Sequence, residues 1–285
     1  MIKILYNEKA NNGRGLAGAK KAGELYKDSA KEFVDLKNIP GLFEYIETAS
    51  PEDTIIMTGG DGTVNHLIND IGDRLLTKDV YYYPAGSGND FWKDIEGDTL
   101  SGPVKLNEYL KDLPSVIIDG VKKKFLNGIG YGIDGYCCEK GDEIRRTSTK
   151  KVNYTKIALK GLLYDYKPRN ARVTVDGIAH EFKHVWLAPI MNGRFYGGGM
   201  MVAPGQDRLN PENNLSCVVL YCKSALKALA LFPNIFSGKL VNFEKHCTLF
   251  TGKNIKVEFD SPCALQIDGD TVLNVTCCEG VSAGC

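Results

Sequence analysis

Two short stretches carry the residue types and spacing best suited to chemistry: Thr58-Gly59-Gly60-Asp61-Gly62-Thr63-Val64-Asn65 and Pro84-Ala85-Gly86-Ser87-Gly88-Asn89-Asp90. Each follows an apolar, strand-like run and leads into a helix-like one. Backbone N–H groups at a helix N-terminus converge on anions, and glycine lets the chain approach a ligand closely. Both stretches therefore read as phosphate-binding loops. A glycine turn with a threonine N-cap explains one or two glycines of the first stretch, but not three around an acid. Asp61 and Asp90 would face the same phosphates and repel them; a bound Mg²⁺ removes that conflict.

The elements around these loops alternate. Strand-like runs at 2–6, 32–36, 54–57 and 80–83 are separated by helical patterns. One covers 16–26, one opens at Pro40 and runs through Leu42, Phe43 and Ile46, and one shows the face Val64, Leu67, Ile68, Ile71. Such alternation specifies a parallel α/β sheet, which binds ligands beyond the carboxyl ends of its strands. Neighbouring strands would bring both loops to one crevice. Further on, strand-like runs dominate, at 115–118, 125–129, 172–175, 182–189, 215–221, 255–259 and 264–267. Asp119-Gly120 and Asp176-Gly177 are hairpin turns, and helical patterns interrupt near 151–166 and 224–236. The expected organisation is an α/β N-terminal domain with a parallel sheet, residues 1–115, and a mainly antiparallel β-rich C-terminal domain, residues 116–285. The last residues are expected to pack back on the first domain.

Composition narrows the function. With 35 Lys+Arg against 35 Asp+Glu, no bulk field attracts a polyanion, so nucleic acid is not expected as a partner. The apolar start gives way to polar residues after Tyr6, and no apolar run approaches the ~18 residues of a membrane span. Nine cysteines include the adjacent pairs Cys137-Cys138 and Cys277-Cys278 but no C-x-x-C. They read as reduced thiols of a cytoplasmic protein. No pattern specifies an oligomeric state.

Three further stretches have two readings each. Gly13-Arg14-Gly15-Leu16-Ala17-Gly18, with Asp35 downstream, fits a dinucleotide fingerprint. Its first glycine stands several polar residues past the strand, which suits a loop leaning over a ligand better. His180-Glu181-Phe182-Lys183-His184 fits H-E-x-x-H, but the context is a strand, where residues four apart are ~13 Å apart and cannot share a zinc. Region 140–169 is locally basic with an apolar stripe, either a solvated helix on the sheet or a segment docking on anionic headgroups. The apolar run 226–236 is either core or a wall for a lipid tail.

GGDGTVN followed by PAGSGNDF resembles the catalytic domain shared by diacylglycerol kinases, sphingosine kinases and their bacterial lipid-kinase relatives. Asn192-Gly193-Arg194-Phe195-Tyr196-Gly197-Gly198-Gly199-Met200 with Ala203-Pro204 is similar to the family's N-G…GGG…AP segment. Ile267-Asp268-Gly269-Asp270 is similar to its D-G-E segment. The matches run in order from Asn7 to Asp270. NAD kinases and phosphofructokinases share GGDGT but not the GND loop together with the later segments.

The resemblance implies a first domain of NAD-kinase/phosphofructokinase type and a β-sandwich second domain. It implies ATP and Mg²⁺ as cofactors and a lipid hydroxyl as acceptor, diacylglycerol foremost, met at the membrane surface. Nucleotide would be held by Gly59, Gly60, Asp61, Gly62 and Thr63, by Gly86, Ser87, Gly88 and Asn89, and by Asn7, after which Glu8 replaces the usual proline. Asp61 and Asp90 complete the phosphate and metal region. Asp270 stands for the glutamate base, one methylene shorter, with Asp268 beside it at the substrate. The family's acidic segment for a structural Mg²⁺ falls on 205–214, where Asp207 and Glu212 are the candidate ligands. Two rivals remain: a soluble small-molecule kinase, and a lipid-binding relative weakened by the shorter base.

Overall fold

In the computed structural model all residues are described except Lys9, Ser87, Ser101, 149–151 and Cys285, and the side chains of Asn11 and Asn12. The chain divides into two compact units, Met1–Leu113 and Pro114–Cys285.

The first unit grows from alternating apolar strands and amphipathic helices. β1 (Ile2–Tyr6) leads through a short α1 (Ala10–Gly13) into α2 (Gly15–Glu24), then β2 (Lys31–Asp35) and α3 (Leu42–Glu47). β3 (Thr54–Gly59) runs directly into α4 (Asp61–Ile71), and β4 (Val80–Pro84) is followed by α5 (Asp90–Glu96), β5 (Val104–Lys105) and α6 (Asn107–Lys111). The strand order is β2-β1-β3-β4-β5, parallel except for β5. Burial on both faces explains the unbroken apolar runs: Ile55, Ile56 and Met57 of β3 are almost wholly buried. On α4 the residues Val64, Leu67, Ile68 and Ile71 form the buried face that the spacing predicts.

The second unit opens with β6 (Ser115–Ile118), β7 (Val121–Lys124) and β8 (Gly128–Tyr131), followed by α7 (Ile133–Thr147) and α8 (Tyr154–Lys160). Next come β9 (Arg169–Val175), β10 (Ile178–Leu187), β11 (Ile190–Met191), β12 (Phe195–Tyr196), β13 (Met200–Met201) and β14 (Leu215–Tyr221). α9 (Ala225–Leu231), β15 (Cys247–Gly252), β16 (Asn254–Ile267) and β17 (Asp270–Val281) complete it. The antiparallel sheet runs β7-β6-β17-β16-β8-β11-β14-β10-β9, with β15 on β14. It closes on itself through β16, whose first half pairs with β9 and whose last residues pair with β8. The two apolar runs expected as separate strands are this one strand, bent where its register shifts around Pro262. Inside lies a core of Ile129, Tyr131, Val173, Val219, Val257 and their neighbours.

The H-E-x-x-H string lies on β10, as its context predicts; His180 stacks on Phe250 and His184 sits in a bulge at φ 58°. The tail expected to return to the first domain is bonded within the second: Val281 pairs with Ser115, and the Ser282 N–H donates to the Lys253 carbonyl at 2.8 Å. The helix α7 was not expected at all.

Candidate active site

The parallel register places Thr58 beside Tyr83 and Gly59 beside Pro84, so both glycine loops leave the sheet side by side at its carboxyl end. They then touch through their backbones. A Cβ on Gly86 would lie 2.3 Å from the Gly60 Cα, and one on Gly59 would lie 2.1 Å from the Thr63 hydroxyl oxygen. No side chain fits either place. The Gly59 carbonyl accepts from the Ala85 N–H at 2.7 Å and from the buried Tyr82 hydroxyl at 3.0 Å, which fixes one loop on the other. Gly62, by contrast, faces open space at the start of α4.

The first glycine segment joins the same corner. α1 stands between β1 and α2, so Gly13 does not lie at a strand end and no dinucleotide turn forms. Gly15 lies against the Asn7 carbonyl, and a Cβ on Gly18 would meet the Ala85 Cβ at 2.4 Å. Asp35, the ribose-binding candidate of that fingerprint, is buried and accepts from the Lys37 N–H at 3.2 Å as a turn cap. Three loops thus converge on Gly60, Ala85 and Gly86.

Asp61 holds this arrangement. Its Oδ2 accepts from the Asp90 N–H at 3.0 Å and its Oδ1 from the Phe91 N–H at 2.9 Å. The carboxylate therefore caps α5 from a helix 29 residues away, satisfying amides that a helix N-terminus leaves unpaired. Asn89, at φ 53°, clips its own loop: its Oδ1 accepts from the Gly86 N–H at 3.0 Å and its Nδ2 donates to the Gly86 carbonyl at 3.1 Å. Asp90 is buried. Of the acids expected at the phosphates, one is a joining group and the other is packed inside. Thr63 is buried in the first turn of α4, and Ser87 lies outside the described residues.

The second unit builds a different kind of site. Asp268 and Gly269, at φ 48° and 96°, make the tight turn between β16 and β17. The Asp268 carboxylate accepts three backbone N–H groups, from Leu126 at 2.5 Å, Asn127 at 2.8 Å and Gly128 at 3.1 Å. Expected beside a substrate, it instead ties the hairpin to the start of β8. Asp270 follows as the first residue of β17 with 64% of its side chain exposed, and it pairs with Lys123 Nζ at 2.9 Å. The Asn192 amide donates to the Leu126 carbonyl at 2.9 Å, so the N-G segment joins the same knot.

The segment 205–214 is organised mainly by amide, hydroxyl and guanidinium side chains. Gln206 Nε2 donates to the Asn214 carbonyl at 2.8 Å, and Ser216 donates to its Oε1 at 2.5 Å. Arg208 reaches Asn127 Oδ1 at 3.0 Å and the Leu126 carbonyl at 3.3 Å. The Asp207 carboxylate accepts the Leu209 N–H, and that of Glu212 accepts the Asn214 amide. Among the described residues no three His, Cys, Asp or Glu side chains come together. Magnesium requires several converging oxygens, and these residues do not supply them, so a structural Mg²⁺ does not fit here. At the glycine loops the fit is better: Asp61 offers one hard carboxylate, and nucleotide phosphates and water normally supply the rest of the shell.

One ionisable group lay outside the sequence reading. Asp134, in the first turn of α7, is buried, and burial pushes its carboxyl up to about 7. The nearby Tyr196 hydroxyl opposes that shift, yet neither it nor Asp134 Oδ2 reaches hydrogen-bond geometry with any described group. The same burial holds the tyrosine well above its ordinary range.

Comparison with known proteins agrees with this geometry. Residues 1–122 match the diacylglycerol kinase catalytic domain, and residues 127–281 match the YegS C-terminal NAD kinase beta sandwich-like domain. A diacylglycerol kinase of Mycobacterium tuberculosis is 27% identical over 218 residues, covering 74% of this chain and 68% of its own. The crystal structure of a diacylglycerol kinase from Bacillus anthracis superposes with a TM-score of 0.65 at 19% identity, covering 99% of this chain and 93% of that one. Yeast NADH kinase complexed with NADH shares the fold at a TM-score of 0.50 and 11% identity, over 99% and 78% of the two chains. The α/β unit and the β-sandwich-like unit are thus those of a kinase fold. The chain belongs to the diacylglycerol kinase-like lipid kinase family, and it is a phosphotransferase. Membership implies ATP and a lipid as its substrates.

Proposed function

We propose that the protein transfers the γ-phosphoryl group of ATP to the hydroxyl of diacylglycerol, forming phosphatidic acid. What supports the nucleotide site most is the backbone contact of Gly60 with Gly86, stapled by Asp61 on the α5 amides. It leaves the start of α4 open at Gly62, where N–H groups and the helix dipole favour phosphate. Asn7, Gly59, Thr63, Gly88 and Asn89 shape the rest of that seat, with Asp90 supporting it from within. Mg²⁺, held by Asp61 and the nucleotide, would neutralise charge on the transferring group.

Asp270 is the base of this reading. It takes the proton of the acceptor hydroxyl as the oxygen attacks the γ-phosphorus. The bond to the β,γ-bridging oxygen breaks, and ADP leaves with that electron pair. Asp270 is exposed at a tight turn and held at 2.9 Å by a single flexible lysine, so a substrate hydroxyl can displace that partner. Asp268 keeps the turn in place and leaves the chemistry to its neighbour. The protein would work in the cytoplasm, in peripheral contact with the membrane that contains its substrate; among the described residues no helix is long and apolar enough to cross one.

The test is transfer of labelled γ-phosphate to diacylglycerol in mixed micelles. Asp270→Asn should cost about 10²–10⁴ in rate, the usual worth of a general base, while Asp270→Glu keeps activity. Full activity in the Asn variant would sink the assignment. Label appearing only on water-soluble acceptors would favour a small-molecule kinase.

A further inference from the structure

On the second unit, α8, the wide helical turn Gly161–Asp165 that continues it, and α9 form one surface. α9 lies against the turn. Leu162, Ala228, Leu231 and Ile235 point inward to a single apolar core. Leu229 and Phe232 pack against the same core, while other large side chains of these segments face outward. Tyr164 is 78% exposed and Leu226 71%, with Leu159 and Leu163 also exposed; Phe236, on the short helical turn Phe232–Ser237 that continues α9, is 50% exposed. Scattered apolar residues on a surface are ordinary; several large ones on two adjoining elements form a patch that favours a partner.

The charge along these segments is mostly positive. Residues 152–167 and 223–243 contain Lys156, Lys160, Lys167, Lys223, Lys227 and Lys239 against Asp165 alone, and all six lysines are exposed. Asp165 is itself paired with Lys160 at 3.0 Å. The chain as a whole carries no net charge, so this bias is local. Large apolar side chains amid lysines on a flat helical surface match an interface between acyl chains and anionic headgroups. The apolar groups enter the boundary, and the lysines remain among the phosphates.

We infer that the face formed by α8, the turn Gly161–Asp165 and α9 docks the protein on anionic phospholipid surfaces, with Tyr164, Leu226 and Phe236 inserting. This deepens the lipid-kinase reading, since a substrate dissolved in a bilayer requires an enzyme that reaches it. The experiment is co-sedimentation of the full chain with phosphatidylcholine vesicles with and without phosphatidylglycerol. Binding is expected to the anionic vesicles and to weaken as salt is raised. Tyr164→Glu/Leu226→Glu should lower vesicle affinity by roughly tenfold or more, and Lys223→Glu/Lys227→Glu by a similar factor. Both variants should retain the wild-type melting curve and the wild-type rate on a short-chain diacylglycerol kept monomeric. Equal vesicle binding by variants and wild type overturns the inference. So does loss of a dimer, seen by analytical ultracentrifugation, in place of loss of vesicle binding, because the patch would then serve a second copy of the chain. If no lipid is phosphorylated while the vesicle results hold, the kinase reading fails and the docking face stands.

Discussion

The glycine loops of the first unit and the Asp268–Asp270 hairpin of the second answer the same problem in opposite ways. In the first, backbone packs on backbone, and the side chains serve to hold it: Asp61 caps α5, and Asn89 clips Gly86. In the second, one carboxylate is offered to the outside while its neighbour two residues earlier binds three amides. Acids in a motif are therefore not equivalent. Asp268 holds three backbone amides and Asp270 none, and that can be read from geometry alone.

Three substitutions can break or sharpen this contrast. Gly86→Ala puts a methyl group 2.3 Å from the Gly60 Cα, so the loops must part. ATP binding by calorimetry should fall by about 10²-fold or more, an effect of misplaced rather than missing groups. Asp268→Ala removes the acceptor of three N–H bonds and should destabilise by about 3 kcal/mol, a melting-point drop of roughly 6–12 °C in calorimetry. Asp270→Ala should leave the melting point within about 1 °C, as expected for an exposed ion pair. Equal losses in the two variants would erase the distinction between a holding and an exposed carboxylate.

A smaller effect concerns the loop 205–214. Arg208→Gln loses bonds to Asn127 and Leu126 and should cost about 1–2 kcal/mol. A chelator should leave the wild-type melting point unchanged. A chelator-sensitive melting point would show that acids elsewhere bind a structural metal. A separate effect is expected from pH. Asp134 has a folded value of about 7 against an ordinary 3.8, so the folded state binds its proton more tightly than the unfolded state does. Its contribution to stability is greatest at acid pH, falls as pH rises from near 3.8 to about 7, and is level above that. Asp134→Asn should flatten the melting-point profile across that window, measured by thermal shift.

Much of the first unit was legible because its strands are apolar runs and its helices carry one buried stripe. The glycine loops could be placed at strand ends by the same patterns. What could not be read was the role of Asp61, because its partners at Asp90 and Phe91 lie beyond another strand and become near only through the β3–β4 register. The helix α7 was hidden by its composition. Gly135 and Gly141 break the apolar period and weigh against a helix. The structure shows their use: a Cβ at Gly135 would lie 1.9 Å from the Ala264 carbonyl oxygen, and one at Gly141 2.7 Å from the Tyr154 ring. They serve close packing, which has no local signature. Asp270 was legible only through resemblance, since D-G-D by itself specifies a hairpin and nothing more. Asp134, just before Gly135 in the same overlooked helix, carried no signal.

The bent strand β16 also has a consequence for biogenesis. Every pairing that closes the second unit passes through it or through β17, and Ser115, already paired with Lys124, meets its second partner only at Val281. Contacts this distant in sequence are slow to form. On the ribosome, the first unit can complete its sheet once Lys105 has emerged. The second must wait for almost the whole remaining chain, with β8 and β9 exposed meanwhile. That interval is where a chaperone would find its substrate.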